Sequence, residues 1–168
     1  TAWALRGYEN MLMDFRADPD RAEAVLEIPF RYHLAAAEKL TRMGVDMIWI
    51  GDDVGTQHAM LMSPRTWRRF LRPRMATFIG ALKRINPSLK VAYHSDGCVL
   101  PIIPELIEVG VDILNPLQPL ASGMDPRQLK LEYGKGLCLH GGIDIQRMLP
   151  LSGPEEVRAA VRELLGFM

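Results

Sequence analysis

Tyr93-His94-Ser95-Asp96-Gly97-Cys98 is the most informative segment of the chain. It follows Lys90-Val91-Ala92, and a new apolar helical pattern starts just after it. A His, an Asp and a Cys at the end of a strand are costly in a core but useful in a site. Three other segments end the same way. Ile48-Trp49-Ile50 runs into Gly51-Asp52-Asp53, Asp112-Ile113-Leu114 into Asn115-Pro116-Leu117-Gln118, and Leu137-Cys138-Leu139 into His140-Gly141-Gly142-Ile143-Asp144. Short apolar strands with polar tips, each followed by a helix, predict a (β/α) barrel, whose active site lies at the C-terminal strand ends.

Working outward, Leu5, Tyr8, Leu12 and Phe15 form one stripe of a helix over residues 1–16. Asp18-Pro19 reads as a cap followed by proline at the first helical position. A long helix is expected from Pro19 to Met43, with Ala24, Ile28, Tyr32, Ala35, Ala36 and Leu40 inward and Pro29 kinking or splitting it. Strands are expected at 45–50, 90–93, 111–114 and 137–140, and a long loop at 51–62. Helices follow at Ser63-Pro64 (bent at Pro73), 101–109, 126–133 and from Ser152. Trp49 is expected in the core, and Cys98 is expected to be a buried residue at the start of a helix.

The class is therefore α/β: a partial (β/α)8 TIM barrel of about four β/α units plus N-terminal helices, with 1–168 as a single partial barrel domain. A closed barrel typically needs about 250 residues, and this chain has 168. A half-barrel would leave raw parallel edges, an aggregation liability. The absence of an initial Met and an end at Met168 straight out of a helix add to the expectation of a fragment. A fragment is expected to be inactive alone, since a barrel site is assembled from several strands.

Twenty basic and twenty acidic residues cancel, which argues against a nucleic acid or an anionic membrane as partner. No apolar run approaches the ~18 residues of a membrane span, and Thr1-Ala2-Trp3-Ala4-Leu5-Arg6 is no signal peptide. Two cysteines forty residues apart make no disulfide scaffold, so a reducing cytoplasm is the simplest setting.

Five motifs stand in register over nearly the whole chain: Gly51-Asp52-Asp53-Val54-Gly55-Thr56-Gln57; Ser63-Pro64 with Phe70 and Pro73; His94-Ser95-Asp96-Gly97; Gly110 through Gln118; and His140-Gly141-Gly142-Ile143-Asp144. Together they resemble the uroporphyrinogen decarboxylase superfamily, a (β/α)8 barrel, over its central part. The resemblance implies one of two chemistries. The first is decarboxylation of a tetrapyrrole carboxylate, as in porphyrin biosynthesis, with no metal or organic cofactor. The alternative is a zinc-dependent, corrinoid-linked methyltransferase, whose zinc sits in a His-x-Cys motif. A non-enzymatic half-barrel that binds a partner is a third reading. The position of the decarboxylases' strand-tip Ser holds Asp52 here, and the second ligand of His-x-Cys falls at Asp96.

Each chemistry makes demands on residues. Decarboxylation of a pyrrole acetate needs an acid and a preorganised anion beside the cation that forms. Asp52, Asp53 and Asp96 are the catalytic candidates, since like charges crowded at one mouth push one pKa up. Asp52 or Asp53 capping its own loop is the competing reading. Arg65 and Arg147 are the only arginines expected near the tips, a thin supply for a substrate with many carboxylates. For a metal, His94 and Asp96 stand two apart and share a side of an extended strand; Asp in place of Cys makes that site harder and weaker for zinc. Gln57, Asn115, Gln118, His140, Gly141, Gly142 and Asp144 are the substrate-binding candidates, with Asp144 as a helix cap the competing reading. The partners expected are a small-molecule substrate, a tetrapyrrole or a methyl donor, and a homodimer partner or a corrinoid protein.

Overall fold

The computed structural model describes residues 2–168, which divide into two compact units. The first holds the residues up to Ile48 and Met62–Leu89, and the second holds Trp49–Leu61 and Lys90–Met168.

The first unit is helical: α1 (Ala2–Arg6), α2 (Tyr8–Ala17), α3 (Pro19–Arg42), α4 (Pro64–Phe70) and α5 (Arg72–Ile85). The single helix expected over 1–16 is two, because Gly7 takes φ 83° between them, a value that L residues rarely adopt. Asp18 caps α3, accepting the Arg21 N–H at 3.1 Å. Ser63 does the same for α4, accepting the Thr66 N–H at 3.1 Å. Pro29 lies inside α3 without ending it, and the helix runs unbroken for 24 residues. Pro73, by contrast, stands in the first turn of α5, just past the break at Leu71.

The inward face of α3 differs from expectation. Ala22, Leu26, Ala37 and Thr41 are buried, while Ala24, Ala35 and Ala36 are exposed, as are Ile28, Tyr32 and Leu40. Both stripes keep helical spacing, so periodicity does not choose between them; packing on α2 and α5 does. Arg74 ties α5 to α3 through Glu23 Oε2 at 2.6 Å. Trp67 and Phe70 of α4 are fully buried.

The second unit carries the sheet, with parallel strands in the order β1-β2-β3-β4. These are β1 (Met47–Gly51, of which Trp49 onward belongs here), β2 (Lys90–His94), β3 (Ile113–Leu117) and β4 (Cys138–Gly141). Helices alternate with them: α6 (Ile103–Glu108), α7 (Pro126–Tyr133), α8 (Met148–Leu151) and α9 (Pro154–Leu165). Val91, Tyr93, Ile102, Leu106, Leu114 and Leu117 form the centre of its core, each buried side chain contributing about 1.5–3 kcal/mol. β3 extends past the expected end at Leu114, because its ladder with β4 resumes at Leu117↔Gly141 after a register shift. Trp49 is 47% exposed rather than in the core. β1 alternates, with Ile48 buried and Trp49 on the opposite, open side. Among the described residues, no helix is long and apolar enough to cross a membrane.

Candidate functional site

Parallel pairing sets His94 of β2 directly beside Asn115 of β3. Adjacent residues in register point to the same face, so their side chains meet: His94 Nδ1 and Asn115 Oδ1 are 2.8 Å apart. From the next strand, His140 Nδ1 closes on Asn115 Nδ2. The polar tips of three strands thus form one continuous row. Trp49, in the middle of β1, meets the His140 ring edge-on, with centroids 5.9 Å apart.

The loop after β1 is laid over this row. Its backbone is held at both levels: Val54 N–H donates to the buried Ser95 hydroxyl at 3.0 Å, and Cys98 N–H to Thr56 O at 2.8 Å. The close approach requires glycine on each side. A Cβ on Gly55 would lie 2.9 Å from Cys98 N, and one on Gly97 would lie 2.5 Å from Thr56 O. Gly97 also takes φ 75°.

This packing brings Asp53 to the β2 tip. Its Oδ1 accepts the Asp96 N–H at 3.0 Å and lies 3.6 Å from His94 Nε2. Ligand atoms of Asp53, His94 and Asp96 all fall within 4.8 Å of one another. Gln118 orients Asp96, donating Nε2–H to Oδ1 at 3.0 Å. The Gln118 Oε1 accepts from Gly97 N at 2.8 Å and from Gln57 Nε2 at 3.3 Å. Asp53, Gln57, His94, Asp96, Asn115, Gln118 and His140 are therefore linked by hydrogen bonds or close approach.

Asp52 is not one of the three residues whose ligand atoms converge. Its backbone is anchored, with N–H donated to His94 O at 3.0 Å and its carbonyl accepting the Tyr93 hydroxyl at 3.0 Å. Burial, with Asp52 and Asp53 nearby, pushes the Tyr93 phenol well above its usual range, so it stays a donor. Asp144 is engaged as a cap: its carboxylate accepts the N–H groups of Gln146 at 2.7 Å, Arg147 at 3.1 Å and Met148 at 3.1 Å. Desolvation raises its pKa, but those three donors and Arg147 outweigh it and hold the carboxyl below the usual range. Gly141 and Gly142 take φ 111° and 93°, and Gly142 N–H donates to Leu117 O at 2.9 Å. Cys98 is buried.

The sequence reading missed Tyr93 and Ser95 as supports of the loop. Their signal was position: both flank His94 at a strand tip, and a buried hydroxyl there needs a partner.

The donor set of the cluster is one imidazole nitrogen and two carboxylates. Three protein ligands is the number a catalytic zinc site uses, and two carboxylates make this set a hard one. The Nδ1 of His94 is occupied by an amide oxygen, which leaves Nε2 facing Asp53, the orientation that metal-binding histidines take. The residues present fit a divalent cation.

Residues 2–167 match the family model described as "Uroporphyrinogen decarboxylase (URO-D)". A structural comparison matches 99% of this chain, at a TM-score of 0.63 and 21% identity, to a "methyltransferase from Methanosarcina mazei". The chain spans 55% of that protein's length. No curated protein matches it in sequence.

Proposed function

Because the chain belongs to the uroporphyrinogen decarboxylase family, we propose that it is the core of an enzyme acting on a small molecule over the strand tips, by zinc-dependent methyl transfer. One observation carries this reading: Asp53, His94 and Asp96 converge within 4.8 Å, with Nε2 of His94 turned toward a carboxylate. The Nε2 of His94 and the carboxylate of Asp53 face each other there, an arrangement that a cation held between them would stabilise. His94, Asp96 and Asp53 would hold the ion, and when bound it supplies a Lewis acid that lowers the pKa of a coordinated thiol or water.

The chain's own residues do the rest. Asn115 orients His94, and Gln118 orients Asp96 and is itself steadied by Gln57. His140 and the backbone around Gly141 and Gly142 border the same face and would contact substrate. A corrinoid methyl donor, and a protein carrying it, enter this proposal only through the family resemblance.

The metal-free alternative keeps Asp53 and Asp96 as acid and anion for decarboxylation of a tetrapyrrole carboxylate. Their convergence serves that chemistry too, since it gathers two carboxyl groups at one strand tip. Calorimetric titration of the chain with zinc chloride separates the two. The methyl-transfer reading expects one equivalent of zinc bound by the wild type and stoichiometric binding lost in His94→Ala. No zinc bound by the wild type, or binding unchanged by the substitution, would transfer the weight to the decarboxylase.

A further inference from the structure

Asn115 stands between two imidazoles, and its chemistry sorts them. An amide oxygen only accepts and an amide nitrogen only donates. Oδ1 lies 2.8 Å from His94 Nδ1, so that nitrogen carries a proton. Nδ2 is directed at His140 Nδ1, so that nitrogen carries none, and the proton of the neutral ring sits on Nε2. Asn115 is 8% exposed, so water is a poor substitute for either ring, and an amide left half-paired there would be costly. The register His94↔Asn115 fixes one contact. The other comes from the next strand, where His140 is solvent-exposed with Trp49 against its ring.

We propose that Asn115 is a positioning residue that holds His94 and His140 in opposite tautomers. The site mouth then presents one imidazole lone pair, at His94 Nε2, and one imidazole N–H, at His140 Nε2. The lone pair serves the cation of the function proposed above, and to that extent the inference rests on it. The N–H at His140 does not depend on a metal, and it suits an acceptor oxygen of substrate: a carboxylate, a carbonyl or an ether.

The test is a long-range 1H–15N correlation spectrum of the imidazoles in the 15N-labelled, metal-free chain. Signals are assigned by their loss in His94→Gln and His140→Gln. The expected pattern is His94 as the Nδ1–H tautomer and His140 as the Nε2–H tautomer. A flipped Asn115 gives the reverse, and either ring in the reverse form would overturn the proposal. Asn115→Asp adds a second reading, because a carboxylate only accepts. His140 is then expected to place a proton on Nδ1 while His94 stays unchanged. A folded Asn115→Asp variant with His140 unmoved also overturns the proposal; if the variant does not fold, the wild-type spectrum decides alone. The spectrum is recorded without metal, so a failure of zinc binding leaves its outcome intact.

Discussion

Asp144 shows what one carboxylate does to the pH response. Held below its usual range by three backbone donors, it contributes stability that is present above the unfolded carboxylate pKa. That contribution is lost as pH falls through the folded value. Asp144→Ala should therefore flatten part of the acid limb of stability, read as the acid-unfolding midpoint of the helical circular dichroism signal; an unshifted midpoint would contradict this. Asp14 acts with the same sign in the helical unit, its pKa lowered chiefly by the hydrogen bond from Arg6. Which residues stand at the strand tips was legible in the sequence, because apolar runs end visibly at His94, Asn115 and His140. Which of them touch was not. That depends on register, and a shift of one residue would turn His94 away from Asn115. Asp144 shows the same gap: its spacing suited a cap or a ligand equally, and only the three N–H partners decide its engagement.

At the scale of elements, the glycine pair between the first loop and the β2 tip is the feature most sensitive to change. Gly97→Ala puts a Cβ 2.6 Å from Thr56 N at a positive φ, and a cost of about 1–3 kcal/mol is expected from such backbone strain. Thermal denaturation of the variant should show a lower midpoint, and an unchanged one would mean that the loop yields freely. In the helical unit, Trp67 is fully buried; Trp67→Ala should cost about 3–5 kcal/mol, measurable by denaturant unfolding. Elements themselves were legible where a cap, a proline or a glycine marked them, as at Asp18-Pro19 and Ser63-Pro64. The buried face of α3 was not, because alanines and aliphatics occupy two stripes of that helix and only its neighbours in space select one. At Pro29 the helix does not split, and α3 is continuous through it.

For the molecule as a whole, the alternation of strands and helices, visible in the chain from Val45 onward, is what the structure shows. The four-stranded sheet is open at β1 and β4 among the described residues. Parallel sheets are normally covered on both faces and paired at their edges, yet β4 is largely exposed. Leu149, Leu151 and Leu165 nearby in sequence are exposed as well. The isolated 168-residue chain should therefore self-associate. Sedimentation velocity over a range of concentrations should show this as a rising average mass, whereas a well-folded monomer throughout would argue against it.

The clasp at Gly55 and Gly97 has a further consequence for binding kinetics. Asp53 and Asp96 are 43 positions apart in the chain, yet the backbone N–H of one donates to the carboxylate of the other. The entropy of closing that long stretch of chain is met once, when the protein folds. On the function proposed above, a cation needing both carboxylates would meet them already placed together rather than as two groups that must find each other. Its association should accordingly be a single fast step, with dehydration and not loop ordering as the barrier.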